Sequence, residues 1–322
     1  MRHLLTYSLI MLCALVMVGC GGRGNSKANA FQPHHFPSMP EPPAVITEPK
    51  EATEYVLSNY WNEFLAKAYP CDSGIVNGVP ADEVEKAFGT YVTLLERGCG
   101  IDFGRKAMAG FFDKVEKFEA ADTSTNVFEF FEEMVPKYLY DPNSPVRNED
   151  LYLPYVSRLA VSDYVDPDMK PAYDHDAQMC SLNMIGSPAA DFTFTDLGGK
   201  RHTLYGVKAE TTLLFFTNPG CPACKEIIES LTSDGKIADL VASGRLAVVN
   251  VYIDEELDKW RENASVYPKN WYNGYDQSYI IRSDVTYNVR AIPSLYVLDS
   301  EKKVIMKDAP VENVLPYLDN LK

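Results

Sequence analysis

Two periodicities divide the chain. From residue 51 to about residue 163 the apolar positions recur every three or four residues, the spacing of one helical face. Tyr55, Leu57, Tyr60, Trp61, Phe64, Leu65 and Ala68 predict a helix over 51–69. Val84, Phe88, Tyr91 and Leu95 predict a second over 82–97, and Phe103, Met108, Phe111, Val115 and Phe118 a third over 103–119. Phe128, Phe131, Val135 and Leu139 mark a fourth over 125–139, and a fifth is expected over 149–163. Asp82, with Glu85 three residues on, has the form of an N-cap and capping box. Aromatic stripes at this spacing read as core rather than as a ligand site. Between the fourth and fifth helices, Pro142 and Pro145 forbid a continuous helix, and Asn148 or Asp150 is expected to cap the fifth. That segment reads as a rigid turn, with Arg147 as an alternative carboxylate anchor.

From Gly186 the period changes. Ala190–Thr195 alternates as a strand, Gly198-Gly199 supplies a turn, and His202–Leu204 returns. Thr211–Thr217 and Leu246–Ile253 are apolar without alternation, as suits central strands covered on both faces. An amphipathic helix is expected over 222–242, broken near Gly235. Ser294–Leu298 and Lys303–Met306 predict a closing hairpin, and 311–321 a last helix. Residues 255–283 read as an inserted loop rich in aromatics, one or two of which are candidates to wall a site. The pattern is that of an α/β chain: a mixed central sheet flanked by helices, preceded by a small all-α domain.

The first fifty residues fit neither pattern. Arg2 and His3 precede an apolar run from Leu4 to Val18, of signal-peptide length and short for a membrane span. Met17-Val18-Gly19-Cys20 resembles a bacterial lipobox, in which residues 1–19 are removed and Cys20 is lipidated. Acyl chains there would hold the protein at a membrane, at about 0.8 kcal/mol per buried CH₂. Residues 20–50, rich in proline and without periodicity, read as a flexible tether. The net charge of −15 argues against nucleic acid or an anionic lipid surface as a partner.

Seven cysteines bear on the compartment. On that reading Cys13 would leave with the leader and Cys20 would be acylated, so Cys71, Cys99, Cys180, Cys221 and Cys224 would remain, an odd set with at least one thiol unpaired. Cys71 and Cys99 are either bridged between helices or buried as inert thiols.

The chemistry concentrates at Asn218-Pro219-Gly220-Cys221-Pro222-Ala223-Cys224-Lys225, just after the strand 211–217. Pro222 suits the first helical position, where a missing N–H costs nothing, and this puts Cys221 at the N-cap. Unsatisfied backbone N–H groups there stabilise a thiolate by about 0.3–1 kcal/mol. Cys224 shares the helix face one turn deeper, as a shielded resolving thiol would. A zinc site would need a second ligand pair, and His175 with Cys180 lacks metal spacing. Haem attachment would need a histidine where Lys225 stands.

The run from Gly186-Ser187-Pro188-Ala189-Ala190-Asp191-Phe192 through Phe215-Phe216 and the Cys221–Cys224 motif resembles the extracytoplasmic, membrane-tethered thioredoxin-like reductases of cytochrome and disulfide maturation. Its entry strand is also similar to that of the alkyl hydroperoxide reductase group. Tyr287-Asn288-Val289-Arg290-Ala291-Ile292-Pro293-Ser294-Leu295 looks like the cis-proline segment of that family. The resemblance implies a C-terminal thioredoxin fold, a cis bond at Ile292-Pro293, and substrate backbone pairing at Ile292 and Pro293. It departs at Phe215, where thioredoxin carries a buried aspartate. Asp254, Glu255 and Glu226 are then the candidate proton acceptors for Cys224. The segment Tyr140-Asp141-Pro142-Asn143-Ser144-Pro145-Val146-Arg147-Asn148 resembles a domain of unknown function preceding thioredoxin domains in lipoproteins of anaerobic Gram-negative bacteria.

The expected organisation is a leader over 1–19, a tether over 20–50, a helical domain over 51–180 and a thioredoxin-like domain over 181–322. The expected activity is reduction of protein disulfides by a membrane-anchored oxidoreductase, with Cys221 as nucleophile, Cys224 resolving, and Pro219, Pro222 and Ala223 shaping the loop. No metal and no cofactor beyond a redox-active Cys221–Cys224 disulfide is expected. Partners would be protein disulfides or dithiols and an upstream membrane electron donor, with the chain facing the periplasm of a Gram-negative bacterium. The alternative is a redox-inert thioredoxin scaffold that recruits a partner through its helical domain. A peroxidase would need an isolated peroxidatic cysteine, which the paired motif does not match.

Overall fold

The structure, a computed structural model, describes residues 31–321. The expected leader, Cys20 and residues 21–30 lie outside the described residues. The helical half contains α1 (Pro49–Asn59), a two-stranded ribbon of β1 (Ile75–Val76) and β2 (Val79–Pro80), α2 (Ala81–Gly98), α3 (Ile101–Ala121), α4 (Val127–Leu139), α5 (Glu149–Leu159) and α6 (Lys170–Ser181). Its core is aromatic, with Trp61 packed against Phe111 and Phe131 at ring-centroid distances of 4.8 and 5.2 Å.

Four expectations for this half are corrected. Residues 33–36, assigned to the tether, pack on the body: Phe36 lies against Trp61 and Phe64, and His35 Nδ1 lies 2.9 Å from Glu83. The first helix ends at Asn59 rather than near 69. Buried Asn77 takes over the backbone groups of the following turns, donating to the carbonyls of Phe64 and Lys67 and accepting from the Tyr69 N–H. Asp82 is inside the first turn of α2 and makes no cap; the N-cap position is Pro80. The helix α6 is absent from the sequence pattern, because only Cys180 of its residues is fully buried and its periodicity is weak. Tertiary contacts hold it, such as the Tyr173 hydroxyl on Glu132 at 2.8 Å. Asn148 does cap α5, its side chain accepting the Leu151 N–H.

The second half supplies β3 (Thr193–Asp196), β4 (Arg201–Thr203), β5 (Thr211–Phe216), α7 (Pro222–Ser233), α8 (Gly235–Ala242), β6 (Leu246–Tyr252), α9 (Leu257–Asn263), β7 (Tyr272–Tyr275), α10 (Ile280–Ser283), β8 (Ser294–Leu298), β9 (Val304–Met306) and α11 (Val311–Asp319). The seven strands are ordered β4-β3-β7-β6-β5-β8-β9, with β5 parallel to β6 and antiparallel to β8. Both faces of β5 are covered. Leu213 and Phe215 enter one core with Cys224 and Trp260, while Leu214 and Phe216 enter the other with Phe192 and Tyr287. Each such burial contributes about 1.5–3 kcal/mol relative to exposure.

Residues 255–283 are not a plain inserted loop. They contribute β7, parallel to β6 and antiparallel to β3, which joins the β3–β4 hairpin to the sheet. Gly274 makes this approach feasible, since a Cβ there would stand 2.6 Å from Phe194 and 2.8 Å from the Thr195 carbonyl oxygen. Such distances require the strands to shift apart. The break near Gly235 falls at Asp234, which ends α7 and caps α8 by accepting the N–H groups of Lys236 and Ile237.

Candidate active site

Strand β5 ends at Phe216, and the chain turns through Thr217-Asn218-Pro219-Gly220 into α7. Gly220 has φ +81°, a left-handed conformation that costs a residue without a side chain little. It is followed by Cys221 at the N-cap, where Pro222 occupies the first helical turn. The Cys221 Sγ accepts the backbone N–H of Cys224 at 3.2 Å. The same sulfur lies 4.0 Å from the carbonyl oxygen of Ile292. The Ile292-Pro293 peptide bond is cis.

The two cysteines differ in environment. Cys221 is partly exposed, whereas Cys224 is 2% exposed. Burial pushes the Cys224 thiol up to about 12, with the Cys221 hydrogen bond adding to the rise. Around the two cysteines, Pro222, Ala223 and Ala291 are exposed, and Pro219, Ile292 and Pro293 are partly so.

The carboxylates expected to serve Cys224 are placed elsewhere. Asp254 accepts from the Asn218 side chain at 2.8 Å and pairs with Arg282 at 2.6 Å, tying the loop to the end of β6. Glu226 and Glu255 are exposed. Behind the loop stands a neutral network instead. Thr217 donates to Asn250 at 2.5 Å, Asn250 donates to Asn273 at 3.0 Å, and the Tyr267 hydroxyl lies 3.3 Å from Thr217. Burial also raises the Tyr267 hydroxyl to about 12. Tyr267 is thus an aromatic of the 255–283 segment that reaches the site; Trp260 is fully buried in the core. Asn250, a lone polar residue inside the apolar run of β6, and Thr217, just past the end of β5, carry a faint sequence signal.

Arg147 is far in sequence from the motif but reaches the same half. Its Nε donates to the Asp308 carbonyl at 2.9 Å and lies 3.6 Å from that side chain's Oδ2. Cys71, Cys99, Cys180, Cys221 and Cys224 are free thiols in this structure, and Cys71 donates to the Ser124 carbonyl at 3.6 Å. Among the described residues, no three His, Cys, Asp or Glu side chains converge on a metal position. No helix among them is long and apolar enough to cross a membrane.

Comparison with known proteins bears on the family and the fold. A family model described as a domain of unknown function, DUF5106, matches residues 21–183. The crystal structure of a thioredoxin-like protein from Bacteroides caccae is 33% identical, covering 87% of this chain and 97% of that one with a TM-score of 0.74. The C-terminal domain of an uncharacterized protein from Bacteroides fragilis is 45% identical, covering 42% of this chain and 97% of its own length with a TM-score of 0.41. The thioredoxin domain of a thiol-disulfide oxidoreductase from Bacteroides vulgatus is 20% identical, covering 42% of this chain and 99% of its own, with a TM-score of 0.37. None of the curated proteins compared with the chain matches it.

Proposed function

The chain belongs to the thioredoxin-like proteins and, over its first half, to the DUF5106 family, and from that premise we propose that it reduces protein disulfides through Cys221 and Cys224. One observation supports the reading above others. The Cys221 sulfur sits at a helix N-terminus, 3.2 Å from a backbone N–H, 4.0 Å from the Ile292 carbonyl oxygen, with a buried second thiol one turn below.

That arrangement supports the following reaction. The Cys221 thiolate attacks one sulfur of the substrate disulfide, forming a mixed disulfide and releasing the other substrate sulfur, which takes up a proton. Cys224 then gives up its proton and attacks Cys221 Sγ. The remaining substrate sulfur departs and takes that proton, and the Cys221–Cys224 disulfide closes. Two electrons pass from the dithiol to the substrate. Burial keeps Cys224 protonated in the resting dithiol, which limits attack by stray oxidants. A membrane-embedded dithiol donor would return the pair to the reduced form. Ile292 and Pro293 would line the substrate backbone, and Pro219, Pro222 and Ala223 would shape the rim.

The membrane attachment and periplasmic setting rest on Met17-Val18-Gly19-Cys20 and the leader before it. Fatty-acid labelling in a Gram-negative host should mark the wild-type chain and not Cys20→Ser; label on both would remove the anchor from the proposal.

The activity has its own test. Cys224→Ser should accumulate mixed disulfides with protein substrates, and Cys221→Ser should neither trap nor reduce them. Equilibration with glutathione should give a potential near that of thioredoxin, about −270 mV. A value near the oxidant end, about −120 mV, would reverse the direction of electron flow. Full activity in Cys221→Ser would end the reading.

A further inference from the structure

The segment that faces Cys221 is held from the helical half by a buried charged cluster. Glu149, the first residue of α5, has a side chain 1% exposed. Its Oε1 accepts from Asn288 Nδ2 at 2.9 Å and from Arg290 Nε at 3.0 Å. Its Oε2 lies 2.8 Å from the Nζ of buried Lys307. The Arg290 guanidinium stands 4.1 Å over the ring of Tyr140 and reaches Asp308 Oδ2 at 3.3 Å. Asp308 in turn accepts from the Ser294 hydroxyl at 2.6 Å.

These bonds bracket the substrate-facing residues. Asn288 and Arg290 precede Ile292-Pro293, and Ser294 comes directly after it. Two residues beyond Arg290, the Ile292 carbonyl oxygen lies 4.0 Å from the Cys221 sulfur. A contact between two halves needs no buried charge, because apolar packing of equal volume holds as well or better. Buried charged groups instead impose direction: each must meet its partner or be left unpaired at high cost. Here the directions converge on one short segment. Tyr140, Arg147, Asn148 and Glu149 also come from a single stretch of the helical half, the proline-containing turn and the helix start that it positions.

We infer that this stretch is a brace for the substrate-facing segment, with Glu149 and Tyr140 as positioning residues that fix Ile292 against Cys221. The helical half thus belongs to the working site of the thioredoxin-like half rather than acting as an independent module. Its catalytic consequence rests on the oxidoreductase reading above. Reaction geometry is sensitive to displacements of about 1 Å, so a loosened segment should bind a protein substrate poorly. A small disulfide, which has no backbone to pair with Ile292, should be affected far less.

The test uses the full chain with Glu149→Gln, which removes a buried charge, and Tyr140→Leu, which removes no charge but takes away the ring that lies under Arg290 and stacks on Tyr152, together with its hydroxyl. Hydrogen exchange of residues 287–295 should quicken in both. The KM for reduction of insulin should rise about fivefold or more, with kcat toward a small aromatic disulfide and the reduction potential unchanged. A merely structural role would lower the rates on both substrates together through loss of folded protein. If Glu149→Gln does not fold, Tyr140→Leu decides alone. Exchange unaltered in the folded variants, or quickened exchange with an insulin KM within about twofold of wild type, would overturn the brace. If the wild-type chain reduces neither substrate, the oxidoreductase reading falls, and the exchange experiment still decides whether Glu149 and Tyr140 hold the segment.

Discussion

The backbone N–H of Cys224 points at the sulfur of Cys221 from 3.2 Å, so the more exposed thiol of the pair is bonded by the residue that carries the buried one. Reactivity should divide accordingly. In the reduced chain at pH 7, iodoacetamide should label Cys221 and spare Cys224, which is 2% exposed and whose thiol burial pushes up to about 12. Peptide mass spectrometry after brief alkylation checks this, and equal labelling of both would contradict it.

The same burial makes stability depend on pH. Cys224 holds its proton to about 12 in the folded chain against an ordinary value of 9.0. A raised folded value favours the protonated form, so its contribution is fully present below about pH 8.5 and is lost as the pH rises toward 12. Urea midpoints of the reduced protein should therefore fall more steeply between pH 8 and pH 10, within that window, than those of Cys224→Ser. Buried tyrosines titrate in both proteins and cancel in the comparison. Parallel profiles would refute the assignment.

Thr217 offers a test of the neutral network behind the site. Thr217→Val removes the donor to Asn250, leaving a fully buried amide oxygen without that bond. The expected loss is about 1–3 kcal/mol in chemical unfolding, with the fold retained by circular dichroism. A loss below about 0.5 kcal/mol would mean the network contributes nothing net.

Gly274 tests the strand within the 255–283 segment. Gly274→Ala places a Cβ 2.6 Å from Phe194 and should destabilise by about 1–3 kcal/mol, read as a lower Tm. It should also speed proteolysis within 264–280. A Tm equal to wild type would show that β7 does not pack tightly on β3.

Much of the redox motif was legible because it is local. An unbroken apolar run, a turn with glycine and a proline after the first cysteine specify strand, turn and helix within about fifteen residues. The split near Gly235 was also legible, since glycine is disfavoured inside a helix, but the cap that Asp234 forms for α8 came from the structure. The strand β7 was not, because Tyr272-Asn273-Gly274-Tyr275 is short and contains a glycine that sequence preference disfavours in strands. Its place is set by the gap between β3 and β6. Neither was the end of α1 at Asn59, which depends on Asn77, a residue with φ +44° in the ribbon turn.

By itself, the sequence determined the helical region ahead of a mixed sheet, the covered central strands and the position of Cys221 at a helix start, since each is set by periodicity or by neighbours in the chain. Tertiary structure alone decided what surrounds those cysteines. Phe215 occupies the face beneath Cys224, Asp254 turns to Asn218 and Arg282, and Glu149 meets Arg290 across 141 positions of sequence. No local rule foresees such pairs, because a charge is buried only where folding brings its counter-charge, and that meeting depends on the path of the whole chain.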